Sequence, residues 1–586
     1  MLDTVLRFLR NTIYGVIRRI ANDSKVINIQ DVLIEVPKDE NRGHLYTNAA
    51  MLFSRQVNLS PLDLAERICG ELRKNPYITD LSIANPGFIN FKVQPVAWHS
   101  VIDDILTKKD RYSRDEEIGR GELLNVEFVS ANPTGPLHTG HARNAVFGSV
   151  AVKLLEKIGY KVTKEFYIND QGNQIKALAQ SVYLRYREVL GVEINESDFA
   201  PDMYVGEYVK DIGKNLVRAY QDSFLNKEES EWLEEISEFS VSLMIKNIKK
   251  DLKLLDIEMD VYTSEKMIYE RKLVENAISI LQKKDDIYEG VLQAPKGIIP
   301  DEDWEWRYPQ TLFKSTKYGD DIERPIKKSD GTWTYFAGDI AYHYDKMNRG
   351  YTKMIDILGS DHNGYTKRLK AAVNALSEGK ATVDTRLYQL VNFFENGIPV
   401  KMSKRHGNFI TLQELVDKVG KDITRFMMVS RHHDVMIDFD FQKVVEMSME
   451  NPIFYIQYAY ARICSVFRHA NSIFGEFDKK ELLSCDKSSL TDAAEINLIR
   501  RLCFWPDNVI KAAKAIEPHR IPYHLHDIAH LFHSLWNRGN VKEELRFLNK
   551  NDKKGSFARL SLLESTRIVL EDGLSLIGIT PLEEMR

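Results

Sequence analysis

Apolar residues recur at helical spacing near the start of the chain, where Val5, Phe8 and Leu9 sit among Arg7, Arg10, Arg18 and Arg19. This periodicity predicts a helix that opens a folded domain. Arg-rich, acid-poor amphipathy is also how a mitochondrial transit peptide reads; the helical spacing favours the first reading. Up to about residue 100 the patterning alternates between helical and strand-like, through NIQDVLIEVP, the helical SPLDLAERICGELRK and the strand-like GFINFKV. The charged stretch from Lys108 to Glu122 then breaks the periodicity and reads as a linker. Beyond it, LLNVEFV is apolar and β-rich, and runs into the Pro/Gly loop SANPTGPLHTGH. A helical pattern from about Ala142 to Ile158 follows, and after Gly159 the strand-like KVTKEFYI. A parallel α/β sheet binds its ligands at such a loop, at the C-terminal end of a strand.

A helix-rich, charged section follows, from about 173 to 299. A second strand–loop–helix unit, MIDILGSDHNGYTKRLKAAVNAL, comes later, and then the basic loop VKMSKRHGN. From about Asn451 the periodicity is helical almost throughout. The pattern predicts an α/β nucleotide-binding domain split by an insertion, with an α+β domain before it and a helical domain after it. No repeat or low-complexity segment interrupts this order.

Composition narrows the chemistry. At roughly 150 residues per domain, 586 residues make three or four domains. With 80 Lys and Arg against 85 Asp and Glu, the net charge is −5, so a nucleic-acid surface has to be a local patch. Residues 451–586 carry 19 basic and 17 acidic residues, +2 against −7 for the remainder. That asymmetry has the sign expected of an RNA-facing domain. The four cysteines, Cys69, Cys464, Cys485 and Cys503, show no CxxC spacing. They predict a reducing compartment, here the cytoplasm, and no cysteine-based zinc site. No apolar run approaches the roughly 20 residues that a membrane span needs.

Two loops carry chemistry. In His138-Thr139-Gly140-His141 a glycine lets a phosphate chain approach the backbone. The helix N-terminus behind it favours anions, and two imidazoles can hydrogen-bond phosphate oxygens. Composition gives about 0.02 chance matches to His-x-Gly-His in this chain. In Lys401-Met402-Ser403-Lys404, two lysines three apart on a Gly-containing loop can reach different oxygens of a triphosphate or of departing pyrophosphate. Such a basic cluster is a weak signal alone. Its position, about 260 residues after the first loop and just behind a second strand–loop–helix unit, gives it weight.

HTGH and KMSK in this order resemble the two signatures of the class I aminoacyl-tRNA synthetases. More narrowly, VEFVSANPTGPLHTGHARNAVFG, TYFAGDIAYHYDK, GSDHNGY, NPIFYIQYAYARI and LSLIGITPLEEM resemble the arginyl-tRNA synthetases, and the resemblance runs over nearly the whole chain. It implies a Rossmann-type catalytic domain over 123–450 with a helical insertion at about 173–299. Before it come an α+β domain over 1–107, contacting the tRNA elbow, and the linker 108–122. Behind it lies an all-helical anticodon-binding domain over 451–586. The implied reaction joins L-arginine to ATP as arginyl-adenylate with release of pyrophosphate, then passes arginine to the terminal ribose of tRNA(Arg). Mg²⁺ arrives with ATP rather than in a protein cage, no zinc or other protein-bound metal is expected, and the chain is expected to be a monomer rather than an oligomer.

The resemblance also implies roles. His138 and His141 act on the triphosphate, and Lys401 and Lys404 neutralise the α-phosphate and the leaving pyrophosphate. Pro136, Gly140, Asp361, His362, Met402 and Ser403 complete the ATP site. An arginine pocket must satisfy a permanent cation with five N–H donors. Glu127 and Asp339 match the guanidinium ligands, with Tyr335 beside them; Asn132 matches a residue at the amino-acid end, next to Ser130. A structural Lys or Arg is the alternative partner for an acid such as Glu127 on an apolar strand. A bidentate charged pocket discriminates well enough that no editing domain is expected. On the tRNA side Tyr455, Tyr458, Tyr460 and Arg462 cluster on one helix, able to stack on unpaired bases or to face the core.

Two departures stand out. His44 replaces the aspartate that the family usually carries after VPKD, so no contact residue is assigned there. Family members typically activate arginine only with tRNA bound, and many have a degenerate second signature, whereas KMSK is intact here. A metabolite adenylyltransferase, a non-catalytic RNA-binding paralogue and a cysteinyl enzyme are the rival readings. The long helical C-terminal region, the four intact signature residues and the absence of cysteine ligands, respectively, speak against them.

Overall fold

The computed structural model describes residues 5–21, 29–37, 43–292, 308–362, 364–400 and 409–585. The KMSK segment, with Lys401, Met402, Ser403 and Lys404, lies outside the described residues, as does the side chain of Asp361.

The opening helix, Val5–Ile20, buries Val5, Leu6, Leu9, Ile13, Val16 and Ile17. Phe8 does not share that stripe: it is 39% exposed, because the buried residues centre between Val5 and Leu6 on the helix, and at 100° per residue Phe8 falls about 120° from that centre. The helix Pro61–Leu72 starts where the sequence marks it. Ser60 accepts the Asp63 N–H at 3.1 Å and proline occupies the first turn. Helices pack on a three-stranded antiparallel sheet in which Phe88–Val93 lies between Leu45–Thr47 and Ile78–Ala84.

The central sheet is parallel. Its strands are β1 (Leu123–Glu127), β2 (Lys161–Ile168), β3 (Val261–Ser264), β4 (Lys353–Gly359) and β5 (Thr382–Tyr388), in spatial order 5-4-1-2-3. The order reverses between β1 and β4, and open α/β sheets bind their ligands at such a switch point. Strand β3 lies inside the stretch read as an insertion. Its four half-buried edge residues are too short a run to register against the helices around it. The helices Asn173–Val189, Glu207–Tyr220 and Glu229–Lys253 enclose a separate apolar cluster that includes Tyr186, Phe224 and Trp232.

Helix α1 (Thr139–Lys157) follows β1 and is almost wholly buried. Gly148 allows its contact with the sheet, since a Cβ there would come within 2.3 Å of the Phe128 ring. Helix α2 (Tyr335–Asn348) precedes β4, and α3 (Tyr365–Ser377) joins β4 to β5. The C-terminal region is helical as expected, with α4 (Pro452–Phe474), α5 (Arg520–Val541) and the nearly enclosed α6 (Lys553–Ile577).

The stretch expected as a linker is pinned down. Tyr112 is buried, and Ser113 donates to Asp572 of α6 at 2.5 Å. The same carboxylate accepts from Lys157 at 2.7 Å and from Trp505 at 2.8 Å. One acid thus joins the stretch, the end of α1 and the helical region. No helix among the described residues is long and apolar enough to cross a membrane.

Gly148→Ala is expected to destabilise the protein by about 1–3 kcal/mol, the usual cost of overpacking a filled core. Thermal unfolding followed by circular dichroism measures it, and an unchanged transition would contradict the close packing described.

Candidate active site

The HTGH segment is itself a helix cap. His138 stands at the N-cap of α1 and its Nδ1 accepts the Gly140 N–H at 3.1 Å, while Nδ1 of His141 accepts the His138 N–H at 3.2 Å. This is the reciprocal arrangement of a capping box, with imidazoles in place of the usual hydroxyl and carboxylate. Because both Nδ1 atoms accept, each neutral ring carries its proton on Nε2. The ring centroids are 3.9 Å apart. Gly140 has a packing reason to be glycine, since a Cβ would meet the His138 ring at 2.8 Å.

The loop before this cap is held from several sides. Val129 and Ser130 adopt φ of 69° and 39°, a region costly for a β-branched residue. Asn144 accepts the Val129 N–H at 2.9 Å and donates to the Ile357 carbonyl on β4, and Ser130 Oγ accepts the Tyr167 N–H at 3.1 Å. Tyr208 donates to the Thr134 carbonyl and Asp251 accepts from Leu137, so the inserted helices clamp the loop around Pro136. Asn132 donates to Gln174 at 2.9 Å.

The residues just after the second signature pair with the first. Thr139 N–H donates to the Ile410 carbonyl at 3.0 Å and Leu412 N–H to the Leu137 carbonyl at 2.8 Å. Phe409 lies 5.7 Å from the His138 ring. On the other flank, Val400 N–H donates to the Phe393 carbonyl at 2.8 Å. The described residues on either side of the second signature are therefore both held, those after it on the HTGH turn.

Beside this turn lies a row of acids. Register places Asp356 of β4, Glu127 of β1 and Glu165 of β2 side by side on one face of the sheet, all buried. One face of α2 answers them. Lys346, wholly buried, donates to Glu127 at 2.7 Å and Asp356 at 3.0 Å. His343 meets Asp356 at 2.9 Å, and Arg349, just past the helix, donates to Glu165 at 2.7 Å. Burial opposes charge at Asp356 and Lys346, but their attraction outweighs it, holding Asp356 well below the usual carboxylate range and raising Lys346. Glu127 also accepts from Ser130 at 2.9 Å. Its burial is thus balanced by a lysine of the protein, the alternative that the sequence left open.

Asp339, one turn before His343, differs. The residue is half-buried, but its Oδ2 is buried and has no hydrogen-bond partner among the described residues. Burial pushes its pKa up to about 7, with His343 opposing and Glu127 and Glu265 adding. Glu265, at the end of β3, is likewise buried and raised to about 7 by burial and by Asp170. Tyr335 opens α2 at 79% exposure. Two neighbouring carboxyls with raised pKa values, one with an unpartnered oxygen, make an acidic cluster suited to a permanent cation. His362 is exposed, 5.5 Å from Tyr365.

Sequence patterning overlooked Glu165 and Asp356, although they carry the signal that singled out Glu127, an acid inside an apolar strand. His343 and Lys346 lie in a motif quoted above for its resemblance, without roles. Glu265 has no local signal, since only β3's return to the sheet brings it here. On α4, Tyr460 faces the core and accepts from Arg567 at 2.9 Å. Tyr455 lies 4.6 Å from the His533 ring, and Arg462 covers Tyr458 at 4.2 Å and Trp536 at 4.7 Å. Tyr455, His530 and His533 help line an open cavity of about 640 Å³ beside α5. In the N-terminal region His44 accepts the Val93 N–H at 3.0 Å.

Lys346→Met leaves Glu127 and Asp356 buried without their cation, and an expected loss of about 3–5 kcal/mol follows. Chemical denaturation beside the parent measures it; a loss below about 1 kcal/mol would mean that other groups neutralise the row.

Residues 101–465 match the family model of the class I (R) tRNA synthetase catalytic domain. Residues 8–93 match the arginyl tRNA synthetase N terminal domain, and residues 456–585 the DALR anticodon binding domain. The arginine–tRNA ligase of Roseobacter denitrificans is 48% identical over 560 residues, covering 96% of this chain and 95% of that one. The arginine–tRNA ligase of Parvibaculum lavamentivorans is 45% identical over 587 residues, covering 99% and 100%. In fold, the chain is similar to the arginyl-tRNA synthetase of Thermus thermophilus, with TM-score 0.72, 18% identity and coverage of 98% and 100%. The Plasmodium falciparum arginyl-tRNA synthetase gives TM-score 0.68 at 15% identity, covering all of both chains.

Proposed function

The chain belongs to the arginyl-tRNA synthetase family, and from that premise we propose how its residues divide the work of an ATP-dependent arginine–tRNA ligase. Arginine is activated with ATP to arginyl-adenylate and pyrophosphate, then transferred to the 3′-terminal adenosine of tRNA(Arg). ATP enters as its Mg²⁺ complex. The triphosphate lies on the N-terminus of α1, where backbone N–H groups and the helix dipole favour anions. Nε2–H of His138 and His141 donates to phosphate oxygens as charge shifts toward the leaving group. Gly140 and Pro136 shape the floor, with Asp361, His362, Met402 and Ser403 around the nucleotide. Lys401 and Lys404 bring mobile positive charge to the α-phosphate and the departing pyrophosphate. The pairing of Ile410 and Leu412 with the HTGH turn supports this.

The observation that carries the specificity is the unpartnered buried oxygen of Asp339. A guanidinium supplies the missing donors and cancels the cost of burying that charge. Tyr335 borders the pocket and Glu265 adds a second carboxylate. Glu127, held by Lys346 and Ser130, contributes a fixed polar wall whose charge is already paired. Asn132 orients the end of the amino acid that carries the reacting carboxylate. The carboxylate then attacks the α-phosphorus in line, and positioning and charge stabilisation supply most of the rate.

The helical C-terminal region takes the anticodon, with Tyr455, Tyr458 and Arg462 offering stacking surfaces. The domain limits 1–107, 123–450 and 451–586 are retained as functional units, joined by 108–122. A cytoplasmic monomer that contacts the tRNA elbow through its N-terminal domain completes the reading.

Arginine-dependent exchange of labelled pyrophosphate into ATP, with and without tRNA and beside other amino acids, tests it. Exchange is expected with arginine alone among the amino acids, and only once tRNA is present. Exchange without tRNA would keep the specificity and remove the gating; silence with arginine in both conditions overturns the reading.

The pocket carries a pH signature as well. Bound guanidinium favours the ionised forms of Asp339 and Glu265, so binding releases protons near pH 7. Arginine affinity, measured by calorimetry, is expected to be at least about tenfold weaker at pH 6 than at pH 8. In Asp339→Asn, kcat/KM for arginine should fall at least about 100-fold, with the pH dependence reduced.

A further inference from the structure

Away from the active site, His432, Glu517 and His519 each bring a ligand atom within 4.8 Å of the others. They come from different parts of the fold. His432 lies in the loop between the helix Lys421–Met428 and the strand Ile437–Asp440. Glu517 and His519 occupy the turn between the helix Trp505–Ala515 and α5. From this geometry we propose a binding site for a divalent transition ion of the Zn²⁺ class, joining the catalytic and helical regions.

Each of the first two ligands is already oriented by an outer partner. Nδ1 of His432 is bonded to the Asp434 carboxylate, which turns Nε2 toward Glu517 Oε1 at 3.5 Å. A carboxylate behind a metal-ligating imidazole is the usual way of setting its tautomer and direction. Glu517 is fixed in turn by Arg520, which binds its Oε2 and leaves Oε1 toward the histidines. The His519 ring stands edge-on to His432 at 4.7 Å. Two imidazoles and one carboxylate suit zinc or its neighbours better than Mg²⁺ or Ca²⁺, and water would be the fourth ligand. His433 lies alongside, 4.1 Å from His432, but is also packed edge-on to Phe147 of α1 at 6.0 Å.

The site has mechanical consequences. The carbonyl of His432 accepts from Arg143 of α1 at 2.9 Å, and those of Gln389 and Val435 accept from the same guanidinium. An ion on His432 and His519 would thus tie α5 of the helical region to the loop that anchors the HTGH helix. The set is invisible to a search by spacing, because its members stand 85 and 87 residues apart.

The test is titration of the chelator-treated full chain with Zn²⁺ alone against a chromophoric competitor, with thermal unfolding in parallel. One ion per chain with Kd in the micromolar range or below is expected, with a rise in Tm of several degrees. His432→Gln and His519→Gln should each weaken binding at least about 30-fold, and His433→Gln should leave it unchanged. Asp434→Asn, nearly isosteric and not itself a ligand, should weaken it about 10–100-fold. That variant separates a metal site from a merely folded turn. His138 and His141 are present in every variant, so their affinity for zinc cancels. The proposal is overturned if parent and His432→Gln/His519→Gln bind Zn²⁺ alike, or if Asp434→Asn and His433→Gln are indistinguishable.

Discussion

A row of buried charge runs across the central sheet, and the active site depends on it. Parallel register sets Asp356, Glu127 and Glu165 side by side, where three carboxylates in a low-dielectric interior would repel one another strongly. A single helix resolves this by presenting His343, Lys346 and Arg349 at successive turns of one face. Each pair holds α2 at a set height and rotation over the sheet. Asp339 lies one turn before His343, and its backbone carbonyl meets His343 Nδ1 at 2.8 Å. The placement of the pocket carboxylate therefore follows from ion pairs deeper in the protein. With Lys346 pairing Glu127, the acids left without a cation of the protein are Asp339 and Glu265, the two proposed above to face the guanidinium.

A second theme is the use of buried arginines to join parts of the chain that are remote in sequence. Arg143 leaves the HTGH helix and donates to three carbonyls around residues 389–435. Arg425 donates to the Leu255 carbonyl of the insertion, to Ser149 of α1 and to the Ile577 carbonyl at the end of α6. A planar guanidinium with five donors can satisfy several carbonyls at once, which lysine cannot. Gly578 makes room for it, since a Cβ there would fall 2.4 Å from Arg425 Nε. Through these hubs and Asp572, the catalytic helix, the insertion and the helical region share one hydrogen-bonded frame. A shift of the helical region thus has a physical route to the HTGH helix.

Local chemistry made some parts of this legible in the sequence. The HTGH turn, the strands on either side of it and the C-terminal helices are written in short-range signals: a glycine in a strand-to-helix loop, alternating apolar residues, a 3.6-residue period. Glu127 and Asp339 were recognisable as acids that need a cation. Which of them has one already was not, because the answer is Lys346, 219 residues from Glu127 in sequence. Phe8 and Tyr460 show the limit of periodicity. Both belong to amphipathic helices, yet one faces solvent and the other the core, according to what packs against each helix.

The sequence by itself determined the element order, the two signature loops, the acids to be neutralised and the family to which the chain belongs. Those are properties of neighbouring residues and of motif order, which survive without three-dimensional knowledge. Tertiary structure alone decided the pairing of buried charges, the seating of residues 410–412 on the HTGH turn, the entry of Glu265 into the pocket and the meeting of His432 with His519. Each of these joins groups tens to hundreds of residues apart. Their energies depend on distance and dielectric in the folded interior, and no local pattern of amino acids encodes either.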